Sequence, residues 1–338
     1  MADSKKWKSK LLSSSIPLEF DVAKLLVDQG FIIEADYTYS RDDKGTYKNF
    51  SVDINASAYA PFSETESEGR NEFCANVQLL IECKYRDNNT KWLFLPEINT
   101  TDFTQMIAGR AIRIIEEFSP VRFEDKKSVH DFECEIEDAY KAIELKLGDS
   151  PSVYDAEIKH GISQLQYAIP GLLRHLIEYN IGEHLNDNRP IIMCPILVTT
   201  ADLLLINTDV SISKVYEAES LEEMTTKHPF LLFYSDSNPE FQEHWIRTFD
   251  DFSSLNETPG MIKLESLFQN STPNSIKHFN ASNLVEHLSV GSSYYLREYC
   301  SHFVICNYNH LEEFIEKLKL SIKKLIESKI NIQDYCPK

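Results

Sequence analysis

The sequence predicts an α/β fold in which a mixed central sheet is covered by helices on both faces. Two largely apolar stretches, residues 77–85 (VQLLIECKY) and residues 189–207, are typical of strands that are buried on both sides. Helical periodicity predicts helices at residues 16–29, 155–180 and 310–328, which lie before, between and after those stretches. Buried strands that alternate with helices indicate a layered fold with the sheet in the middle.

The first predicted elements are a helix and a strand hairpin. One face of the helix at residues 16–29 is expected to carry its apolar residues, and Gly30 ends the helix. The residues of that face are Ile16, Phe20, Ala23, Leu26 and Val27. The β-branched and aromatic residues of 31–60 flank the turn-like residues 41–45 (RDDKG), which predicts a hairpin.

The middle of the chain is predicted to be largely helical. A polar loop at residues 62–73 precedes the buried strand, and residues 91–97 return from it as a further strand. Residues 100–148 are acidic, and the clearest helix-like segments within them are residues 107–118 and 133–147. The stretch between those two segments is expected to be a surface loop.

The second half of the chain is predicted less completely. The long helix after the acidic region contains Pro170, which predicts a kink. Residues 189–207 are expected to form a β-hairpin around residues 199–202 (TTAD), whereas residues 216–295 give no clear assignment. Residues 301–308 predict a strand. The final helix carries an apolar stripe that is expected to dock on the domain, with an oligomer contact as the alternative. The stripe consists of Leu311, Phe314, Leu318, Ile322 and Leu325.

Composition restricts the class of protein. With 338 residues, of which 42% are hydrophobic, the chain is long enough for one large domain or two ordinary ones. It has no apolar run of roughly eighteen residues that would span a bilayer, and its basic N-terminus lacks the apolar region of a secretory signal. A cytoplasmic protein without a membrane partner is therefore expected. The seven cysteines contain no CxxC pair, which argues against a disulfide framework and against a zinc site.

The formal net charge of −19 limits which nucleic-acid roles are expected. A protein that grips a phosphate backbone usually presents a basic face, because counterion release drives that binding. Here any basic patch must be local. Either the site is small and depends mainly on a metal ion, or a partner protein provides most of the contacts to the nucleic acid. The charge argues against a self-sufficient, tight DNA binder without excluding a nuclease.

The most informative residues are Asp53, in the second strand of the predicted hairpin, and Glu82 and Lys84 in the buried strand. Alternation along a strand places Glu82 and Lys84 on one side and Cys83 on the other. Regular alternation through residues 51–55 likewise places Asp53 on the same face as the residues two positions before and after it. Two neighbouring carboxylates raise each other's pKa, and Mg²⁺ or Mn²⁺ relieves their repulsion. A lysine beside them can hold a water or a phosphate oxygen.

The acid-x-Lys pattern alone carries little information, because further copies occur in turns, polar loops and helices of this chain. Only Glu82-Cys83-Lys84 interrupts a buried strand, where two charged side chains are costly unless they are paired or bind a ligand. The alternative is that Glu82 and Lys84 form a pair on an exposed strand face and that Asp53 is a surface residue.

The order of these residues along the chain resembles that of the PD-(D/E)xK, or restriction-endonuclease-like, nuclease superfamily. The first helix carries Glu19, and the second hairpin strand carries Asp53. The buried strand carries Glu82 and Lys84, and the later helix carries Gln164. The resemblance covers roughly residues 16–207, with a long insertion at about residues 97–155. It implies the αβββαβ core of that superfamily, with a mixed sheet between helices, elaborated here by insertions.

The resemblance implies a role for each residue of the strand motif. Asp53 and Glu82 match the acids that bind the metal in this superfamily, and the backbone carbonyl of Cys83 matches a further metal ligand. Lys84 matches the residue that orients or activates the attacking water.

Two further matches lie on helices. Glu19 matches an acidic residue of the first helix that reaches the metal or its water, and Gln164 matches a glutamine that many members carry after the motif strand. Gln166 is almost as good a candidate as Gln164. The sequence departs from the family pattern in two places: Val52 replaces the proline before Asp53, and neither glutamine has a tyrosine four residues on.

By this resemblance the chain is expected to be a Mg²⁺- or Mn²⁺-dependent endonuclease that hydrolyses phosphodiester bonds, with DNA favoured over RNA. The expected context is an effector subunit of a prokaryotic anti-phage defence system, with a protein partner or as a homo-oligomer. The alternative is a non-catalytic nuclease-fold subunit that binds a partner protein or nucleic acid, since one fold hosts many functions. Residues 1–215 are expected to form the nuclease core. Residues 216–338 either complete the same domain or form a sensor or assembly module.

Overall fold

The computed structural model shows a mixed α/β protein and describes residues 3–43, 45–62, 75–96, 111–148, 150–182, 189–270 and 281–332. The strands in these ranges are β1 (Ile32–Asp43), β2 (Thr46–Ala60), β3 (Ala75–Lys84), β4 (Thr90–Pro96), β5 (Arg113–Ile115), β6 (Val121–Phe123), β7 (Asp138–Lys146), β8 (Ser152–Tyr154), β9 (Ile191–Thr199), β10 (Asp202–Ile206), β11 (Thr225–His228), β12 (Phe230–Tyr234), β13 (His302–Asn307) and β14 (Lys329–Asn331).

The helices in the same ranges are α1 (Asp3–Ser13), α2 (Ile16–Asp28), α3 (Lys127–Cys134), α4 (Ala156–Gly182), α5 (Ile212–Glu217), α6 (Pro239–Thr248), α7 (Pro259–Asn270), α8 (Ala281–Ser289), α9 (Ser293–Cys300) and α10 (Leu311–Glu327). Across this part of the chain, no helix combines the length and the apolar character needed to cross a bilayer. The predicted helices at residues 16–29, 155–180 and 310–328 are confirmed as α2, α4 and α10, and α4 runs on through Pro170.

One mixed sheet contains most of the described strands, in the order β1-β2-β3-β9-β13-β12-β7-β4-β10-β11. β5 pairs with β9 and β8 with β7, while β6 and β14 pair with each other. β3 is antiparallel to β2 and parallel to β9. Because β12 and β13 lie between β9 and β7, residues 216–338 contribute strands to the middle of the sheet that contains β3.

The sheet separates two apolar cores. The core under α4 contains Leu80 of β3 and Leu197 of β9, whereas Ile81 and Ile196, their neighbours in sequence, belong to the core on the opposite face. This second core is covered by α2 and α10. All residues of the predicted apolar stripe of α10 are buried in it, which confirms that this helix docks on the sheet: Leu311, Phe314, Leu318, Ile322 and Leu325.

The buried face of α2 differs from the predicted one. The helix buries Leu18, Val22 and Leu26. Three of the residues predicted to be buried are exposed instead, namely Ile16, Phe20 and Val27. Both sets recur at helical spacing, so the periodicity of this helix is compatible with either face and the packing partners decide between them.

Residues 107–118 and 133–147 were predicted as helices, and the prediction is wrong wherever these residues are described. Residues 107–110 lie outside the described ranges, and so does the predicted loop at residues 63–73. Beyond them the chain forms β5 and β6, then α3 in the stretch that was predicted to be a surface loop, and then β7. β7 pairs with β4 and β12, and these distant partners override the helix propensity of its Glu, Lys, Ala and Leu residues.

The predicted hairpin at residues 189–207 is also wrong in its pairing. Both strands exist as β9 and β10, but β9 pairs with β3 and β13 whereas β10 pairs with β4 and β11. The hairpin around residues 41–45 and the strands at residues 77–85, 91–97 and 301–308 are confirmed as β1–β2, β3, β4 and β13.

The β1–β2 hairpin turns over at Asp53, which means that the two faces of the hairpin exchange sides at this residue. In a regular strand Val52 and Ile54 would share a face, yet Val52 lies in the core under α4 and Ile54 in the opposite core. Asp36 falls opposite Asp53 in the register and has a φ of 55°, in the left-handed region. Regular alternation through residues 51–55 was therefore a wrong prediction. Beyond this point the hairpin leans over α4.

Two glycines, Gly171 within α4 and Gly260 in the neighbouring α7, give a test of how α4 packs. A Cβ on Gly260 would lie 1.9 Å from the carbonyl oxygen of Ile181, whereas a Cβ on Gly171 would meet only the Tyr37 hydroxyl at 3.6 Å. Gly260→Ala is expected to lower the free energy of unfolding by about 1–3 kcal/mol through overpacking. Gly171→Ala, inside α4, is expected to raise it by about 0.5–1 kcal/mol. Urea unfolding of both variants measures this, and equal effects would contradict the close α4–α7 contact.

Candidate active site

The site begins where β2 and β3 separate. Their regular pairing ends at Ile54 opposite Ile81. One residue further along, the Asp53 Oδ2 accepts a hydrogen bond of 2.7 Å from the backbone N–H of Cys83. The turned-over hairpin thus replaces a strand-to-strand hydrogen bond with a carboxylate, which anchors the Asp53 side chain in the gap between the two strands.

Glu82 and Lys84 lie on one side of β3, as predicted, and the structure shows that α4 covers this side. Lys84 Nζ donates to Glu82 Oε1 at 2.7 Å and to Gln164 Oε1, on α4, at 3.2 Å. The amide of Gln164 in turn donates from Nε2 to the backbone carbonyl of Ser51 at 3.1 Å. Gln164 therefore ties Lys84 to β2, and β2, β3 and α4 together fix the position of the ammonium group.

The methylene chain of Lys84 packs against α4 at Gly161, which has no side chain. A Cβ on Gly161 would lie 2.8 Å from Leu197 Cδ1 and 3.4 Å from Lys84 Cε. Gly161 therefore lets α4 approach the sheet closely enough for Gln164, one turn later, to reach the ammonium group.

Burial makes the charge of Glu82 costly. Its side chain is 1% exposed and that of Lys84 is 13% exposed, so the alternative of a pair on an exposed strand face does not hold. Burial, followed by the charge of Asp53, raises the pKa of Glu82 to about 7, although Lys84 acts to lower it. Burial also raises the pKa of Asp53, against its hydrogen bond from Cys83. In the part of the chain that the structure describes, Glu82 Oε2 is buried and accepts no hydrogen bond, although the backbone of Asp53 acts to lower the pKa of Glu82.

Glu19 adds a third carboxylate to this electrostatic group. The start of α2 is tied to the end of β3, because Ser15 Oγ accepts a hydrogen bond of 3.0 Å from the Tyr85 N–H. Burial raises the pKa of Glu19 to about 7, and the charges of Asp53 and Asp36 add to the rise. These carboxylates repel each other in the absence of a cation, which is the situation that the sequence predicted.

Cys83 contributes its backbone and not its thiol. Its side chain is buried in the core on the α2 side. In an extended strand the N–H and C=O of one residue point to the same neighbouring strand. Since the Cys83 N–H bonds to Asp53, its carbonyl oxygen faces the same gap between β2 and β3.

The donor set of this gap fits a hard divalent cation. Asp53, Glu82 and the Cys83 carbonyl offer oxygen atoms, and Glu82 Oε2 accepts no hydrogen bond from the described residues. Mg²⁺ is commonly bound through one or two carboxylates and keeps several waters. Within the described ranges, no three His, Cys, Asp or Glu side chains are grouped so as to hold a metal ion. Any cation here would therefore depend on the carbonyl and on water as well as on the acids.

The structure separates the candidates that the sequence left open. Gln166 is buried and donates to the Cys300 carbonyl at 2.7 Å, away from Lys84, so Gln164 is the glutamine that faces the site. His160, also on α4, lies within electrostatic range of the site, since burial and then the charge of Lys84 lower its pKa.

Two residues near the site were missed by the sequence reasoning. Asp36 comes opposite Asp53 only because of the hairpin register, and nothing in the local pattern marks it. Tyr39 is buried, its hydroxyl has no hydrogen-bond partner, and burial is the main cause of its raised pKa, to which the charge of Glu82 adds. The Tyr-x-Tyr alternation in β1 was the available signal for Tyr39, but it equally fits a packing residue.

Comparisons of the chain with protein-family models, with curated proteins and with solved structures found no match. The function is therefore inferred from the residues of the site.

Proposed function

We propose that this protein is a metal-dependent phosphodiesterase that cleaves nucleic acid internally. The observation that carries the proposal is the buried Glu82, which has one oxygen on Lys84, while its other oxygen accepts no hydrogen bond within the described residues and lies beside the carboxylate of Asp53. Leaving one oxygen of a buried carboxylate unpaired is costly, and a bound cation would offset that cost. Titratable groups that are perturbed in this way are concentrated at functional sites.

The residues divide the chemistry between them. Asp53, Glu82 and the Cys83 carbonyl would hold Mg²⁺ or Mn²⁺, which when bound stabilises negative charge on a phosphate. An ammonium group has three N–H donors, and Lys84 uses two of them on Glu82 and Gln164. Its third donor is available for a water or a phosphate oxygen. The water would attack phosphorus in line, so that a new P–O bond forms as the bond to the leaving 3′ oxygen breaks. The attacking water would give up a proton to solvent, and the leaving 3′ oxygen would take up a proton from solvent.

Several expectations rest on the superfamily resemblance and remain predictions. These are the preference for DNA over RNA, products with 5′-phosphate and 3′-hydroxyl ends, a protein partner or homo-oligomer, a cytoplasmic location and an effector role in anti-phage defence. The net charge of −19 supports the need for a partner, because it opposes unaided binding of a phosphate backbone.

Metal binding is the direct test of the proposal. Calorimetric titration of the wild type with Mn²⁺ is expected to show a site that is lost in Glu82→Gln. Glu298→Gln is the matched control, because burial raises the pKa of that carboxyl to about 7 as well, next to Glu117. Mn²⁺ binding that persists in Glu82→Gln would contradict the assignment.

A non-catalytic binding subunit is the second candidate. It is favoured by the absence of a three-residue metal cluster among the described residues and by the acidic charge of the chain. Incubation of supercoiled plasmid, linear duplex and RNA with Mg²⁺ or Mn²⁺ separates the two functions. A wild-type protein that binds no divalent cation and cuts none of these substrates would be a binding subunit.

A further inference from the structure

Arg41 carries a positive charge that no carboxylate of the described chain neutralises. Its guanidinium lies 4.0 Å from the ring centroid of Phe50 and 4.6 Å from that of Tyr167. Its hydrogen bonding within the described residues is one contact of 3.5 Å, from the guanidinium to Ser163 Oγ. A guanidinium has five N–H donors, and one of them is used on Ser163 within the described residues, so further donors can bind a ligand.

The position of Arg41 follows from the turned-over hairpin. Tyr39 and Arg41 alternate along β1 on the side that leans over α4, and Ser163 precedes Gln164 in α4. Shared effects on pKa also place Arg41 near the site. The charges of Lys84 and Arg41 both act on the pKa of His160, and those of Arg41 and Glu82 both act on the pKa of Tyr39. Both side chains contact α4, Lys84 at Gln164 and Arg41 at Ser163 and Tyr167, so Arg41 lies beside the site along this helix.

A cavity of about 520 Å³ opens beside Arg41, between the hairpin and α6. It is lined by Ser163, Tyr167 and Arg247, among other residues. Arg247 is paired with Asp42 at 2.7 Å and with Glu243 at 3.7 Å, so its charge is already balanced. Glu240 also lines the cavity. The acids on the α6 wall repel an anion, which leaves the edge of Arg41 as the anion contact on the wall nearest Lys84.

We propose that Arg41 binds a phosphate of the nucleic-acid strand next to the phosphate that is cleaved. This inference rests on the proposed function and adds the direction in which the strand leaves the site, along α4 towards the β1–β2 turn. A guanidinium that already contacts two aromatic rings suits this role, because its fork matches two phosphate oxygens and less side-chain entropy is lost on binding. It also supplies a local cation in a chain of net charge −19.

The test uses Arg41→Ala and Arg41→Lys, with Arg174→Ala as the matched control. Arg174 also lies over an aromatic ring, that of Phe252, but it is paired with Glu178 and Asp251. Fluorescence anisotropy with a short labelled DNA duplex, and with an RNA duplex of the same sequence, measures affinity in the Glu82→Gln background. Cleavage kinetics are measured in the wild-type background, and thermal unfolding checks that each variant is folded.

Arg41→Ala is expected to weaken binding about tenfold and to lower the slope of log affinity against log salt by about one. The KM for cleavage is expected to rise with kcat nearly unchanged, Arg41→Lys to fall between, and Arg174→Ala to match the wild type. A folded Arg41→Ala protein with wild-type affinity, salt slope and KM would overturn this inference and leave the proposed function standing. Binding that depends on Arg41 without cleavage by the wild type would overturn the proposed function alone. If the wild type binds neither duplex, this inference fails, and the Mn²⁺ titration of the wild type and Glu82→Gln decides the proposed function separately.

Discussion

Lys84→Met is expected to lower the rate of metal-dependent cleavage by about 10²–10³-fold, the usual effect of removing one donor that stabilises transition-state charge. Lys84 is held by Glu82 and Gln164, so its third donor has a fixed direction. Methionine keeps the length of the stem that packs over Gly161 and removes the ammonium group. The loss is expected in kcat, because the donor acts on charge that develops during the reaction.

The matched control for this prediction is Lys91→Met. Lys91 is another partly buried lysine on a strand of the same sheet, paired with Asp202. Asp202 keeps a second partner, Lys227, when Lys91 is replaced. The control is expected to cleave at the wild-type rate. Equal rates for wild type, Lys84→Met and Lys91→Met would remove Lys84 from the mechanism, whereas a loss in both variants would indicate a general effect of disturbing the sheet.

The strand motif could be predicted from the sequence because its information is local. Two charged residues in an apolar run mark Glu82 and Lys84, and alternation assigns their common face correctly. The sequence also predicted that Asp53 lies on the neighbouring strand, but the face of that strand on which it was placed was wrong. The reversal of faces between Val52 and Ile54 depends on the strained backbone opposite it at Asp36, and no residue type in that stretch requires the reversal.

The errors share a non-local cause. β7 forms from residues with good helix propensity because β4 and β12 pair with it, and β10 follows β9 directly yet pairs with β4. The choice between Gln164 and Gln166 has the same origin. Two residues apart on a helix are about 200° apart around its axis, so the rotation of α4 on the sheet decides which of them meets Lys84. That rotation is set by contacts such as Gly161 with Leu197.

The stability of the metal-free protein is expected to fall as the pH rises from about 5 to 8, because the folded-state pKa values of Glu82, Glu19 and Glu298 are about 7, and Glu82→Gln is expected to remove the share of that fall due to Glu82. The folded-state pKa of Glu82 is about 7, above its ordinary value of 4.5, so the folded protein binds more protons than the unfolded chain between these values. The stabilisation from this group is fully present below pH 4.5 and is lost as the pH rises through 7. A shift of this size corresponds to on the order of 3 kcal/mol.

Urea unfolding in EDTA at several pH values measures this effect, as the difference between wild type and Glu82→Gln. Glu313→Gln is a control that is expected to give no pH-dependent difference between pH 5 and 8, because the hydrogen bond from Lys317 lowers the pKa of Glu313, which is then ionised in both states over this range. Mn²⁺ is expected to restore wild-type stability at pH 8 and to leave Glu82→Gln unchanged, since a cation takes the place of the proton on Glu82. Parallel stability curves for wild type and Glu82→Gln between pH 5 and 8 would mean that Glu82 ionises at its ordinary pKa. That result would contradict the proposed phosphodiesterase, because the proposal depends on a buried carboxylate at Glu82 that is costly without a cation.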